Sequence, residues 1–244
     1  MTGGASGLGR ATIENFAAAG ARVAIFDLNR DEGERLAKPL GERAVFCEVN
    51  VADDGMVAAG IAAVMERFKA IHVCVNCAGR GSGATKTVSR KGRFPMDLFR
   101  DVININLVGT FSVLSHAAER MVDNQPDENG ERGVIINTAS IAAFEGQKGQ
   151  AAYAASKGGL VSMTLPIARD LASYGIRVAT IAPGLFDTPI LKGLSEEVKE
   201  GLARNIPNPS RLGHVREFAA LAQHIVSNPY INGEIIRLDA GLRM

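Results

Sequence analysis

Short apolar runs alternate with longer stretches of helical periodicity from one end of the chain to the other. The runs Arg22–Asp27, Ala44–Val49, Ile71–Asn76, Val134–Thr138, Ile176–Ile181 and Ile235–Leu238 read as strands. Several are rich in Val and Ile at consecutive positions, as parallel strands covered on both faces should be. Between them, Ala11–Ala19, Asp31–Leu40, Asp53–Phe68, Asp97–Asp123, Ala151–Tyr174 and Val215–Ser227 repeat apolar residues at helical spacing. This alternation predicts an α/β Rossmann fold, a doubly wound parallel sheet with helices on both faces. No linker, repeat or low-complexity tract divides residues 1–244, so a single nucleotide-binding domain is expected. Arg80–Met96 and Gly184–Arg211 break the pattern and read as loops. Both follow strand ends, where open α/β sheets bind ligands, so both are candidates to frame a substrate.

Composition narrows the function. A chain of 244 residues can bury a sizeable core. Its net charge of +1 carries no global field for a polyanion, so nucleic-acid binding is not expected. No apolar run reaches the roughly 18 residues of a membrane-spanning helix, so membrane insertion is not expected either. The three cysteines, Cys47, Cys74 and Cys77, are too few for a disulfide framework and suit a reducing interior. No signal or transit segment is visible, which points to the cytoplasm, with the mitochondrial matrix as the alternative. Cys74 and Cys77 stand three apart on an expected strand and would point to opposite faces. The four histidines are scattered without paired metal spacing, so no metal site is expected.

Candidate chemistry sits late in the chain. Tyr153 and Lys157 are four residues apart, so phenol and ammonium share one helix face. A free phenol titrates near about pH 10, and a neighbouring cation is expected to lower that value. Such a pair suits general acid–base work, and the Ser140 hydroxyl thirteen residues before Tyr153 is placed to polarise a carbonyl. At the other end, Thr2-Gly3-Gly4-Ala5-Ser6-Gly7-Leu8-Gly9 leads into an Ala-rich helix. Glycines there let backbone amides reach a pyrophosphate at a helix N-terminus. Asp27 ends the next strand, where a carboxylate accepts from an adenosine ribose and repels a 2′-phosphate; NAD is the expected cofactor.

Together these residues resemble the short-chain dehydrogenase/reductase family. Thr2, Gly3, Gly7 and Gly9 match its glycine loop, which also brings Ser6 and Leu8 to the cofactor. Asn76-Cys77-Ala78-Gly79 is similar to its N-x-A-G segment. Asn104-Ile105-Asn106-Leu107 resembles a helix signature in which Asn106 is catalytic. Ser140, Tyr153 and Lys157 fall at the catalytic spacing, and Pro183-Gly184 with Thr188 match a turn lining the nicotinamide. Segments around 133–147, 163–171, 182–186 and 232–239 are similar to the type 2 3-hydroxyacyl-CoA dehydrogenases, a group also described as broad-specificity 17β-hydroxysteroid dehydrogenases. The resemblance implies NAD-dependent oxidation of (3S)-3-hydroxyacyl-CoA by a homotetramer. It implies that Tyr153 takes the hydroxyl proton, Lys157 lowers the phenol pKa and binds the nicotinamide ribose, Ser140 holds the substrate oxygen, and Asn106 holds a relay water. The alternatives are a steroid or other secondary-alcohol dehydrogenase and an idle structural subunit.

Two departures from the family set further expectations. Asn50 stands where an aspartate usually faces the adenine, beside Val51; its amide oxygen can still accept. Only Met1 precedes Thr2 where the family has a central strand, so the first strand is expected to be missing from a truncated or mis-started chain, leaving its neighbours unpaired. Arg80, Lys86, Arg90, Lys91 and Arg93 lie in a stretch without acids that would suit CoA phosphates or simple solvation. Leu185, Phe186, Ile190, Leu191 and Leu194 read as an apolar lid for an acyl chain or sterol, or as ordinary loop packing.

Overall fold

The computed structural model describes residues 1–191 and 195–243. Helices α1 (Gly7–Ala18), α2 (Arg30–Ala37) and α3 (Asp54–Phe68) alternate with strands β1 (Val23–Asp27), β2 (Ala44–Glu48) and β3 (Val73–Asn76). A hairpin of β4 (Val88–Ser89) and β5 (Gly92–Arg93) follows, then α4 (Met96–Ile103) and α5 (Gly109–Met121). The chain ends through β6 (Gly133–Thr138), α6 (Ala151–Leu171), β7 (Ile176–Pro183), α7 (Glu196–Ala203), α8 (Val215–Ser227) and β8 (Ile235–Leu238). The main strands are parallel, in the order β3-β6-β7-β8, with β1 and β2 paired beside them. Residues of β6 and β7 are buried throughout, because helices cover both of their faces.

The family's first strand is represented by Met1 and Thr2. They lie between β1 and β3, and Thr2 bridges in parallel to Phe26 on one side and Asn76 on the other. Phe26 N–H donates to Met1 O at 2.9 Å, Thr2 N–H to Val75 O at 3.0 Å and Cys77 N–H to Thr2 O at 3.3 Å. The expected loss of pairing is therefore repaired at the end of the sheet nearest the glycine loop. Behind these two residues, β1 and β3 stay apart around an apolar cleft of about 260 Å³, lined by Val23, Phe26, Phe68, Val73 and Val75 among others. Met1 N lies 3.1 Å from Ala24 O.

Three local readings change. The stretch Asp97–Asp123 is not one continuous α-helix: a π-helical turn, Asn104–Val108, separates α4 from α5. The loop Arg80–Met96 contains the β4–β5 hairpin, whose base is pinned by buried Phe94, packed edge-on against Phe99 at 6.2 Å. The stretch Gly184–Arg211 contains α7, capped by the Ser195 hydroxyl accepting from Val198 N–H.

Candidate active site

The carboxyl ends of the strands open onto a cleft of about 700 Å³. The glycine loop forms one end of it. Thr2 Oγ1 accepts from both Cys77 and Ala78 N–H at 3.1 Å, which ties the loop to the segment after β3. Gly3 has φ of 59°, and a Cβ there would sit 2.9 Å from Ala78 N. A Cβ on Gly9 would lie 2.1 Å from Gly3 O, so only glycine lets α1 close against the loop. Ser6 caps α1 without a side-chain hydrogen bond, and Gly7 and Leu8, which carry the first amides of the helix, line the cleft.

Gly3, Ser6, Gly7, Leu8 and Gly9 thus line the cleft, followed by Asp27, Asn50 and Val51 and then Ala78 and Gly79. Asp27 accepts from Ala5 N–H through Oδ2 and from Asn29 N–H through Oδ1, both at 3.0 Å. Each carboxylate oxygen keeps a further lone pair for a ligand. Asn50 Oδ1 accepts from Ala52 N–H at 3.1 Å, closing a turn. Asn76 does not line the cleft. It is buried, and its Nδ2 donates to Asn137 Oδ1 at 3.0 Å, joining β3 to β6.

Ser140, Tyr153 and Lys157 form the far end, with Pro183, Gly184 and Thr188 beside them. Ser140 begins a short 3₁₀ turn at the end of β6; its Oγ accepts from Ala142 N–H at 3.1 Å and is hydrogen-bonded to the Tyr153 phenol. Lys157 is buried and donates to Thr138 O at 2.7 Å. Its ammonium stands 5.8 Å from the centre of the Tyr153 ring.

The electrostatics correct one expectation. Burial raises the Tyr153 pKa above that of a free phenol, and the hydrogen bond from Ser140 only partly opposes it. Lys157, itself desolvated, titrates at about 8.

Asn106 is wholly buried in the π-turn, where the extra residue per turn changes which side chains face inward. Its Oδ1 accepts from Arg80 N–H at 2.8 Å, and its Nδ2 donates to Arg80 O at 2.9 Å and Ser156 Oγ at 3.0 Å. The amide is thus committed to fixing the loop after β3 against α6, and does not line the cleft. A Cβ on Gly79 would lie 3.2 Å from Asn106 Oδ1 and 3.6 Å from Lys157 Nζ, so the two converge around that glycine.

Other candidates fall outside this chemistry. Cys77 faces Thr138 Oγ1 at 3.3 Å, and burial pushes its thiol up to about 11; Cys74 is buried and also raised. Neither is poised as a thiolate. Leu185, Phe186 and Leu191 line the cleft and Ile190 belongs to the 3₁₀ turn Pro189–Leu191, whereas Leu194 lies outside the described residues. Sequence reading missed Ile141 and Gln150 in the lining, which no motif marks, whereas Arg80–Gly83 belong to the stretch it marked as framing a substrate.

This cleft, with a glycine loop at one end and a Ser–Tyr–Lys group at the other, sits in a chain that belongs to the short-chain dehydrogenase family, whose description matches residues 1–199. The particular relatives are close. The chain is 51% identical over 245 residues to 3-hydroxyacyl-CoA dehydrogenase type-2 of Bos taurus, covering 100% of this chain and 94% of that protein. It is 50% identical to the protein of the same name in Drosophila melanogaster, covering 100% and 96%. The crystal structure of 3-hydroxyacyl-CoA dehydrogenase type-2 from Mycobacterium avium matches with a TM-score of 0.96 at 44% identity, covering 100% of this chain and 94% of that one. A 3-ketoacyl-(acyl-carrier-protein) reductase from Brucella melitensis complexed with NADH matches with a TM-score of 0.88 at 27% identity, covering 100% and 96%.

Proposed function

We propose that the chain is an NAD-dependent dehydrogenase that converts (3S)-3-hydroxyacyl-CoA to 3-oxoacyl-CoA. The observation that carries this reading is the cleft that joins the glycine loop and the Asp27 carboxylate to half-buried Ser140 and Tyr153 and buried Lys157. The residues fit the cofactor. Gly3, the first amides of α1 and Asp27 would hold its pyrophosphate and adenosine ribose, and Pro183, Gly184 and Thr188 its nicotinamide end. When bound, NAD supplies the acceptor for the hydride that leaves the carbinol carbon.

Tyr153, acting in its phenolate form, takes the hydroxyl proton as that carbon is oxidised, so the substrate loses one hydride and one proton. Ser140 donates to the substrate oxygen and shares the charge that develops there. Lys157 passes the proton onward from a pKa of about 8, close to working pH. Asn106 holds the Arg80 loop and α6 in register and so keeps Lys157 and Gly79 in place.

The CoA portion fits the outer rim. Arg90, Lys91 and Arg93 are exposed on the β4–β5 hairpin and Lys86 just before it, in the stretch that continues from the lining residues Arg80–Gly83. A cluster of cations without acids suits the phosphates of CoA. Leu185, Phe186 and Leu191 offer apolar surface to the acyl chain. The chain is expected to assemble as a homotetramer, and exposed Val108, Phe111 and Leu165 are apolar residues available for contact between copies. The free cysteines fit a reducing compartment, cytoplasm or mitochondrial matrix.

Reduction run in reverse tests the substrate class. NADH fluorescence should fall on adding acetoacetyl-CoA and change far more slowly with a 17-ketosteroid; faster turnover of the steroid would overturn the acyl-CoA assignment.

A further inference from the structure

The turn that carries Ser140 is gripped from outside the site. Within it, Ala143 N–H donates to Ser140 O at 3.0 Å, and Phe144 and Glu145 N–H both donate to Ile141 O, so residues 140–145 form one unit. The Glu145 carboxylate accepts from Arg237 Nη1 at 2.7 Å, and the Arg237 guanidinium lies 5.2 Å from the centre of the Phe144 ring. The same guanidinium donates through Nε to Asp239 Oδ2 at 2.7 Å and through Nη2 to Leu242 O at 3.1 Å. Arg243 completes the group, with Nη1 3.0 Å from Asp239 Oδ2. The Glu145 and Asp239 carboxylates and the two arginines form a neutral quartet in which Arg237 uses all three guanidinium nitrogens.

Each partner leads to the cleft. Gly184, beside the proposed nicotinamide end, donates to Leu238 O at 2.9 Å, and a Cβ on it would lie 2.9 Å from Asp239 Cα. Leu242 packs with buried Ile141 and Ile206 and with Leu185. Arg237 thus stands where the Ser140 turn, the Gly184 turn and the C-terminal segment meet. A lysine keeps the charge at this place but cannot span the three directions.

We infer that Arg237, acting through Glu145, is a positioning residue that sets the Ser140 hydroxyl against the Gly184 side of the site. It touches neither substrate nor cofactor. This rests on the dehydrogenase reading above, because Ser140 matters only if a carbonyl oxygen is polarised. A misplacement of a reacting group by about 1 Å can slow chemistry by about 10²-fold.

The test compares wild type with Arg237→Lys, Glu145→Gln and the double variant, each also in a Ser140→Ala background. Turnover of acetoacetyl-CoA, the deuterium isotope effect with reduced cofactor labelled at the transferred hydrogen, and NADH affinity are read on folded protein. Arg237→Lys and Glu145→Gln should each lower kcat about tenfold, raise the isotope effect and leave NADH affinity within about twofold. The double variant should lose no more than either single one, and neither change should matter once Ser140 is alanine. Amide hydrogen exchange at residues 142–145 should quicken in both variants. That readout needs no turnover, so an inactive wild type would fail the dehydrogenase reading while exchange still judges the clamp. Glu145→Gln leaves Arg237 paired with Asp239, so it stays informative if Arg237→Lys folds poorly. Unchanged kcat and isotope effect in Glu145→Gln, unchanged exchange at 142–145, or an undiminished loss in the Ser140→Ala background would overturn the inference.

Discussion

The two walls of the cleft are built differently. The chemistry wall rests on β6 and β7, buried along their whole length, and on α6, whose Lys157 is anchored to Thr138 O. The cofactor wall rests on β1, β2 and the glycine loop, joined to the rest of the sheet through Met1 and Thr2, with an apolar cleft behind them. On the first wall many packed residues share the task of placing a side chain. On the second, a few backbone hydrogen bonds do it. Changes on the chemistry wall should therefore act on kcat, and changes on the cofactor wall on affinity and stability.

The largest effect expected is on the chemistry wall. Tyr153→Phe removes the proton acceptor and keeps the ring, so kcat should fall by about 10³-fold or more, with NADH affinity by fluorescence unchanged. Substantial residual turnover would break the division between walls. Next, Asp27→Asn should weaken NADH by about tenfold or more, because a charged acceptor is lost, and should narrow the preference for NADH over NADPH. Titrations of both cofactors check this. Thr2→Val strips the hydroxyl acceptor from Ala78 N–H and leaves Cys77 N–H with Thr2 O alone. A loss of about 1–3 kcal/mol should appear as a lower Tm and weaker NADH binding, with kcat at saturation nearly unchanged. An equal fall in kcat would show that the walls are coupled.

The smallest effect is a pH dependence. Lys157 titrates at about 8 in the folded cofactor-free protein and at its ordinary, higher value when unfolded. Between those values the unfolded chain binds the extra proton, so stability rises with pH across the window. Tyr153, raised by burial, works oppositely above about pH 10. The Tm of wild type minus that of Lys157→Met should therefore increase from about pH 8 to pH 10; a flat difference would mean that Lys157 is not desolvated.

Much of this was legible in the chain. The six main strands are short apolar runs, and those covered on both faces, β6 above all, are rich in Val and Ile, which leaves a plain sequence signal. The Ser140, Tyr153 and Lys157 spacing and the glycine loop are local patterns, fixed by one helix face and one turn. What escaped was set at longer range or by environment. The π-turn at Asn104–Val108 follows from packing around Arg80 and Ser156, which no periodicity records. The hairpin and α7 are short segments held by Phe94 and by the Ser195 cap. The upward shift of Tyr153 depends on how deeply the site is buried, and residue spacing carries no measure of that. Arg237 and Glu145 are 92 positions apart, so only the folded sheet brings them together.

Forward turnover tests the assignment most directly. With NAD and (3S)-3-hydroxybutyryl-CoA, wild-type protein should generate NADH fluorescence, faster at alkaline pH as Tyr153 becomes a better proton acceptor, while the (3R) enantiomer gives little. Binding of NADH without any NADH formation from the (3S) thioester would contradict it.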